Sequence, residues 1–242
     1  MKKTILLFLC LLPVAMHAQD TAQAIVDRYL SLLNYEDLPQ DSLLVIGTEI
    51  TYRDGVDTLN MLRYYQTGGM MRVEVRYADT LLTGLCSNGT TRFRTYSPTL
   101  EWWDDTDTAQ WRESLEPYDF RGPLYNWRNR GIKLIYLGIS RIDGHELQTV
   151  RVEEIDRYVR LYYFDPASGL LVLIIERDEL PEGSRKAPFR NAPIDFKFIH
   201  EYMPIGNCLV PSVESYSREG TMTIMRSIMH FESRNNLLFN QD

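Results

Sequence analysis

Alternation of apolar and polar residues recurs along the sequence from Leu43 onward and limits the folds open to it. Residues 71–77 alternate Met, Val, Val and Tyr with charged side chains, and residues 158–163 and 194–198 alternate in the same way. Successive side chains of a β-strand point to opposite faces of its sheet. The period therefore predicts strands with one apolar and one solvated face, with Glu74 and Tyr162 on solvated faces.

Turn-forming residues separate these segments at short intervals. They are Asp54-Gly55, Gly68-Gly69, Asn88-Gly89, Asp143-Gly144, residues 165–169 and Gly206-Asn207. Glycine and asparagine adopt the backbone angles that tight hairpin turns require. Short strands with turns at this spacing predict an antiparallel meander, either a barrel or a strongly curved sheet. No βαβ rhythm or internal repeat is visible, so a single domain is expected over residues 19–242.

Residues 1–18 have the pattern of a secretory signal peptide. Lys2 and Lys3 precede an apolar run from Ile5 to Val14, and Ala18 is a small residue at the expected cleavage point. The run is shorter than the roughly 20 residues that span a bilayer. We therefore expect an exported protein that is soluble in the periplasm after cleavage and has no stable membrane span.

An amphipathic helix is predicted directly after this segment. Asp20 and Gln23 have the spacing of a capping box. The stripe of apolar residues at helical spacing consists of Ile25, Tyr29, Leu32 and Leu33. A single stripe of this kind packs against a broad surface, and we expect that surface to be the sheet.

All the tryptophans lie between Pro98 and Gly131, where the alternation stops. They are Trp102, Trp103, Trp111 and Trp127. Asp107 is placed to cap a short helix that carries Trp111, and a second short helix is predicted from Pro123 to Gly131. Aromatic side chains on short helices suit a lid over one mouth of a barrel. Completion of the core is the alternative, because aromatic residues bury large areas wherever they lie.

Charge and composition exclude several classes of protein. The formal net charge is −7, and 44% of the residues are hydrophobic. A nucleic-acid-binding face must be basic, and an anionic membrane surface attracts basic segments, so neither partner is expected. The apolar fraction suffices for a full core.

No residue pattern predicts catalysis, a metal site or a cofactor. The histidines after the leader, His145, His200 and His230, lack the spacing of a zinc site. Residues 138–142 begin like a nucleophile elbow, but Ile142 occupies the position of the second glycine. The acidic residues between Glu101 and Asp107 lack the glycine and terminal glutamate of a calcium loop. We therefore expect a protein that is not an enzyme.

Two cysteines, Cys86 and Cys208, follow the leader. An oxidising compartment permits a disulfide between them. Free cysteines are also common as small buried hydrophobes. The sequence leaves both alternatives open.

The order of motifs resembles the outer-membrane lipoprotein-sorting (LolA-like) family. The resemblance lies in residues 62–75 and 87–98, then in 123–144, then in the strand, aspartate turn and strand of 159–170, and finally in 202–211, Phe231 and Phe239. It covers most of the chain after the leader, and its strength lies in the order of the motifs. The resemblance implies an incomplete antiparallel β-barrel around an apolar cavity, closed by helices.

In that family the best-studied members carry lipoproteins across the periplasm by sheltering their acyl chains, and an arginine near the first strands holds the lid. Arg72 is the nearest match by motif order. It alternates with Val73 and Val75, which places it on the polar face, so this role is not transferred to it.

The resemblance therefore implies a periplasmic carrier of lipids or lipoproteins that is a monomer and meets envelope proteins only transiently. The candidate cavity residues are Val73, Val75, Tyr77, Leu161, Tyr163, Phe196 and Phe198. The candidate lid residues are Ile25, Tyr29, Trp102, Trp103, Trp111 and Trp127. A packed core is the alternative for each of these residues, since alternation is the same around an empty and a filled interior. The alternative function is a non-enzymatic protein-interaction or sensor module on the same fold.

Overall fold

The structure, a computed structural model, describes most of the chain from residue 21 to residue 233. The described ranges are 21–38, 42–52, 58–66, 70–78, 80–88, 93–97, 100–105, 120–122, 124–153, 159–177, 195–218 and 221–233. The predicted signal peptide lies outside them. No helix in these ranges is both long enough and apolar enough to cross a membrane.

The described secondary structure is one α-helix, one short 3-10 helix and a series of strands. Helix α1 covers residues 21–33, and the 3-10 helix is Tyr35–Asp37. The strands are β1 (Ser42–Tyr52), β2 (Thr58–Gln66), β3 (Met70–Tyr77), β4 (Thr80–Asn88), β5 (Phe93–Ser97), β6 (Leu100–Asp105), β7 (Lys133–Ile142), β8 (His145–Glu153), β9 (Val159–Phe164), β10 (Leu171–Arg177), β11 (Phe196–Ile205), β12 (Cys208–Arg218) and β13 (Thr221–Ser233).

The strands form a sheet in the hydrogen-bonded order β6-β5-β4-β3-β2-β1-β13-β12-β11-β10-β9-β8-β7. Every strand pair whose register is described is antiparallel. These pairs are β1 with β13, β1 with β2, β2 with β3, β3 with β4, β4 with β5, β5 with β6, β7 with β8, β8 with β9, β9 with β10 and β10 with β11. Within the described residues the order has two ends, β6 and β7, so the sheet is not closed. The prediction of an unclosed antiparallel β fold with an N-terminal helix is confirmed.

The described residues divide into two compact units. The first unit contains α1, β7 to β10, residues 196–199 of β11 and the end of β12. The second unit contains the 3-10 helix, β1 to β6, β13 and the remaining parts of β11 and β12.

Helix α1 of the first unit packs on strand β9. Ile25, Tyr29 and Leu33 are buried, as the predicted stripe requires. The Tyr29 ring meets Phe164 edge to face, with ring centroids 5.6 Å apart. Tyr162, which lies on the same face of β9 as Phe164, is fully buried. The prediction of a solvated face at Tyr162 is therefore wrong, because both faces of β9 are covered.

The turn between β9 and β10 is tied to α1. The Asp165 carboxylate accepts hydrogen bonds from the Ser168 hydroxyl and from the backbone N–H groups of Ser168 and Ala167, and these bonds lower its pKa. Arg28 of α1 donates to the carbonyl oxygens of Pro166 and Ala167 at 3.2 and 3.0 Å. The guanidinium of Arg28 therefore joins the helix to this turn.

The tryptophan-rich stretch differs from its prediction. Trp102 and Trp103 lie in strand β6, which pairs with β5, and not on a helix. Residues 124–131 form successive turns and not a helix, since Asn126 has a left-handed backbone with φ of 56°. A left-handed residue interrupts the regular dihedral angles of an α-helix. The helix predicted around Trp111 lies outside the described residues.

Alanine substitutions at two glycines of the first unit test the contact between α1 and the β9–β10 turn. Gly169 has φ of +81°, and an ideal Cβ there would lie 2.7 Å from Nε of Arg28. Gly144, in the β7–β8 hairpin turn, has φ of +84° with nothing within 4 Å of its Cβ position. Both alanine variants incur the cost of a left-handed alanine, about 1 kcal/mol.

We expect Gly169→Ala to lower the free energy of unfolding by about 1 kcal/mol more than Gly144→Ala, since it also displaces Arg28 from its two carbonyl partners. Urea denaturation of the two variants beside the wild-type protein measures the difference. Equal losses would mean that the Arg28 contact contributes nothing to stability.

Candidate functional site

Four strands of the second unit, in the order β13-β1-β2-β3, place an array of side chains on one face, and their register defines four rows. Row one consists of Leu44, Tyr65, Met71 and Phe231; row two of Ile46, Arg63, Val73 and Met229; row three of Thr48, Met61, Val75 and Ser227; row four of Ile50, Leu59, Tyr77 and Met225. All but three of these side chains are apolar, and we call this surface the four-row face.

Exposure increases along the four-row face toward row four. Ile46 and Val73 in row two are 0% and 1% exposed. In row three Val75 is half-buried, and in row four Tyr77 is 48% exposed. The face therefore runs from a covered end at row one to a more accessible end at row four.

The covered end lies beneath two aromatic residues outside the sheet. The Phe120 ring meets Tyr65 edge to face, with centroids 4.6 Å apart, and it meets Tyr35 in the same way at 5.2 Å. The Tyr35 hydroxyl donates to the Phe120 carbonyl oxygen at 3.4 Å, a long hydrogen bond. Two ring contacts and one long hydrogen bond thus join Phe120 to Tyr65 and Tyr35.

The polar residues of the four-row face are hydrogen-bonded to each other. Arg63 Nη2 donates to Thr48 Oγ1 at 3.0 Å, and Thr48 Oγ1 lies 2.9 Å from Ser227 Oγ. Thr48 and Ser227 are buried. A guanidinium with two hydroxyl groups thus interrupts an otherwise apolar surface.

The opposite face of β3 carries a compact ion-pair network. Glu74 is buried between Arg72 and Arg76: Arg72 Nε donates to Oε1 at 2.8 Å, and Arg76 Nη2 donates to Oε2 at 2.8 Å. Burial alone would raise the pKa of Glu74, but the hydrogen bonds and charges of the two arginines outweigh it and lower the pKa. Glu74 lies on the face of β3 that the alternation predicted for it. The prediction that this side chain is solvated is wrong, because it is buried.

Three of the predicted cavity residues lie on the four-row face. Val73 is buried in row two, Val75 is half-buried in row three, and Tyr77 is exposed in row four. The other four come together in the first unit. Leu161 and Tyr163 form a buried cluster with Leu147 and Leu173, and Phe196 and Phe198 pack against it.

The first-unit cluster does not lie beneath α1. Tyr29 contacts Phe164, whereas Leu161 and Tyr163 alternate with it and point to the other face of β9. The predicted lid residues Ile25 and Tyr29 therefore cover a different surface from the predicted wall residues of the same unit.

The other predicted lid residues are dispersed. Trp127 is buried in the turns after Leu124, with the Arg128 guanidinium 4.4 Å from its ring centroid, and Arg128 also pairs with Asp27 of α1 at 2.6 Å. Trp102 and Trp103 lie in β6. Trp111 lies outside the described residues.

Cys208 is a free, buried thiol, so the disulfide alternative is not what the structure contains. Its Sγ donates to the Asn34 carbonyl oxygen at 3.1 Å, and burial followed by the Asp37 charge raises its pKa. Cys86 is in β4, and β3, β2, β1 and β13 separate that strand from β12 in the sheet order. A disulfide requires Cα atoms within about 7 Å of each other.

Sequence reasoning missed Arg63 and Phe120 as components of this surface. Arg63 occupies an apolar position in the alternation Met61, Arg63, Tyr65, and this mismatch was its only signal. Phe120 belongs to the aromatic-rich stretch, but its contact with Tyr65 joins residues 55 positions apart and has no local pattern.

The architecture described above is the LolA-like fold, and solved structures with this fold match most of the chain. A DUF1329-family protein from Desulfovibrio piger has a TM-score of 0.61 and 14% identity, with 91% of this chain and 97% of that chain covered. A LolA-superfamily protein from Nitrosomonas europaea has a TM-score of 0.59 and 13% identity, with 91% and 98% covered. A domain described as an outer membrane lipoprotein-sorting protein, from Vibrio parahaemolyticus, has a TM-score of 0.56 and 12% identity, with 93% and 97% covered.

No protein-family model matches the sequence, and no curated protein matches it. The likeness at these identities is a likeness of fold.

Replacing Glu74 by Gln tests the ion-pair network on the opposite face of β3. The neutral amide removes the negative charge that Glu74 supplies to both arginines, and we expect a loss of about 2 kcal/mol in the free energy of unfolding at pH 7, less than for a fully buried pair since Arg76 is partly exposed. The matched control is Glu146→Gln, whose partner Arg141 is exposed, with an expected loss below about 0.5 kcal/mol.

The contribution of Glu74 to the free energy of unfolding decreases as the pH falls. Because the pKa of Glu74 in the folded protein lies below its ordinary value of 4.5, the ionised carboxylate stabilises the fold above that pH. The stabilisation disappears as the pH falls through the lower folded-state value. Urea denaturation between pH 7 and pH 3 should therefore give a wild-type advantage over Glu74→Gln that shrinks in acid; an advantage independent of pH would contradict this assignment.

Proposed function

We propose that the protein is a periplasmic carrier that shelters the acyl chains of lipids or lipoproteins on an apolar surface and carries out no reaction. The observation that carries the proposal is the four-row face, a broad apolar surface with an accessible row four and an aromatic cover over row one. The LolA-like fold supports it, since two of the solved structures with this fold are described by the LolA or lipoprotein-sorting name.

The four-row face suits an acyl chain for a simple energetic reason. Each methylene group taken out of water contributes about 0.8 kcal/mol. Met61, Met71, Met225 and Met229 lie on the face, and methionine side chains adapt their rotamers to irregular apolar partners. An adaptable surface accommodates chains of different length and unsaturation.

A carrier must also release its cargo, and the cover of row one meets that requirement. An edge-to-face aromatic pair contributes only about 0.5–1.5 kcal/mol beyond its buried area. Phe120 makes two such contacts and lies outside the sheet, so its displacement leaves the strand pairing intact. We therefore assign to Phe120 and Tyr35 the lid role that the sequence suggested for the tryptophans.

The first-unit cluster of Leu161, Tyr163, Phe196 and Phe198 is proposed as a second apolar wall. Phe196 and Phe198 are only partly buried, with ring centroids 5.4 Å apart. Transient contacts with envelope proteins that load and unload the carrier belong to the same proposal.

Binding of a diacylated lipopeptide by the delipidated full-length protein tests the proposal. We expect saturable binding, followed by tryptophan emission, and no binding of the same peptide without acyl chains. Val75→Trp places a bulky side chain in row three at a half-buried position, and we expect it to weaken binding by about tenfold, or about 1.4 kcal/mol.

The matched control is Leu137→Trp, which adds the same side chain at an exposed position of β7 in the first unit. Its affinity should equal that of the wild-type protein. If the wild-type protein binds neither the acylated nor the unacylated peptide, the carrier function is refuted and a protein-interaction module is favoured. Equal weakening by both variants would exclude the four-row face as the site.

A further inference from the structure

Arg63 is a charged residue in an apolar environment. Its cross-strand neighbours are Ile46 on β1 and Val73 on β3, which are 0% and 1% exposed. Its guanidinium group carries a positive charge. The second unit therefore holds a permanent positive charge on its most apolar surface.

The hydrogen-bonding capacity of Arg63 is mostly unused within the described part of the chain. Nη2 donates to Thr48 Oγ1 at 3.0 Å, and Nε is buried with no hydrogen-bond partner. A guanidinium has five N–H donors. No carboxylate in the described ranges forms an ion pair with Arg63, in contrast to Arg72 and Arg76, which share Glu74.

Such an arrangement is unfavourable unless something else compensates it. Burying a polar donor without a partner lowers stability, and burying a charge lowers it more. An apolar residue at position 63 would complete row two without this cost. An anion beside the guanidinium would compensate it, since a charge-assisted hydrogen bond is stronger than a neutral one.

The guanidinium points from row two toward the accessible part of the face. It reaches Thr48, which lies in row three, and Thr48 in turn contacts Ser227 of the same row. Row three is followed by row four, where Tyr77 is exposed. An anion entering from row four therefore meets Arg63 and two hydroxyl groups beside an apolar wall.

We infer that Arg63, with Thr48 and Ser227, forms a subsite for the anionic head group of an amphiphile whose acyl chain lies on the four-row face. The inference rests on the proposed function and narrows it to cargo with a carboxylate or phosphate group. Arginine binds both groups through paired N–H donors. The carboxylate of a free fatty acid and the phosphate of a phospholipid are the two sources.

Paired ligands that differ only in charge test the subsite in the full-length protein. Palmitate is compared with methyl palmitate, and dipalmitoyl phosphatidate with dipalmitoylglycerol, by displacement of a fluorescent fatty acid. We expect the wild-type protein to prefer the anionic member of at least one pair by about tenfold, which is about 1.4 kcal/mol. The pair with the larger preference identifies the source of the anion.

Arg63→Met keeps the length of the side chain and removes its charge. We expect this variant to bind the anionic and the neutral member of each pair with equal affinity, and to melt no lower than the wild-type protein. Arg63→Lys, which keeps the charge and loses the fork, should keep part of the preference. Arg141→Met, at an exposed site in the first unit, should behave like the wild-type protein.

The outcomes separate this inference from the proposed function. A wild-type protein that binds both members of each pair equally, or an Arg63→Met variant that retains the preference, overturns the subsite and leaves the carrier function standing. A wild-type protein that binds none of the four ligands overturns the subsite, and the carrier function is overturned with it if the diacylated lipopeptide is not bound either.

Discussion

The antiparallel pairing of β1 with both β2 and β13 is the interaction on which the second unit depends. β1 pairs with β13 along its full length, from Ser42 opposite Ser233 to Tyr52 opposite Thr223. This register brings Thr48 beside Ser227, 179 positions later in the sequence. A shift of one residue would turn every side chain of β1 to the other face. The rows of apolar side chains, the contact between Arg63 and Thr48 and the hydroxyl pair all follow from that register.

The arginine side chains on the two faces of β2 and β3 have different kinds of partner. On one face Arg72 and Arg76 surround Glu74, so that a buried carboxylate is matched by two guanidinium groups. On the other face Arg63 has a neutral hydroxyl as its partner. A protein of net charge −7 has many carboxylates with which to pair an arginine. The two faces therefore differ in the partners of their arginines: Glu74 pairs with two guanidinium groups on the first, whereas within the described residues Arg63 donates to a hydroxyl group on the second.

Alternation identified segments of β3, β9 and β11 and the apolar positions of β3, because the direction of a side chain in a strand is a local property. It failed at Glu74 and Tyr162, whose burial depends on what covers the second face of the sheet. Helix α1 covers that face at Tyr162, and nothing in residues 158–163 encodes its presence. The helix predicted from Pro123 to Gly131 failed at Asn126, whose left-handed backbone is not specified by residue type alone. Arg63 was not predicted as a site residue, because a charged residue at an apolar position does not fit the alternation.

Different elements cover the apolar surfaces of the two units. In the first unit α1 contacts Phe164 and is held to the β9–β10 turn by two hydrogen bonds from Arg28, so its removal breaks polar and apolar contacts together. In the second unit Phe120 covers Tyr65 through ring contacts, with one long hydrogen bond from Tyr35. Ring contacts lack the strict angular dependence of hydrogen bonds, so displacement of Phe120 breaks fewer directional contacts than removal of α1. Under the proposed carrier function, Phe120 is therefore the residue that cargo displaces, while α1 stays in place.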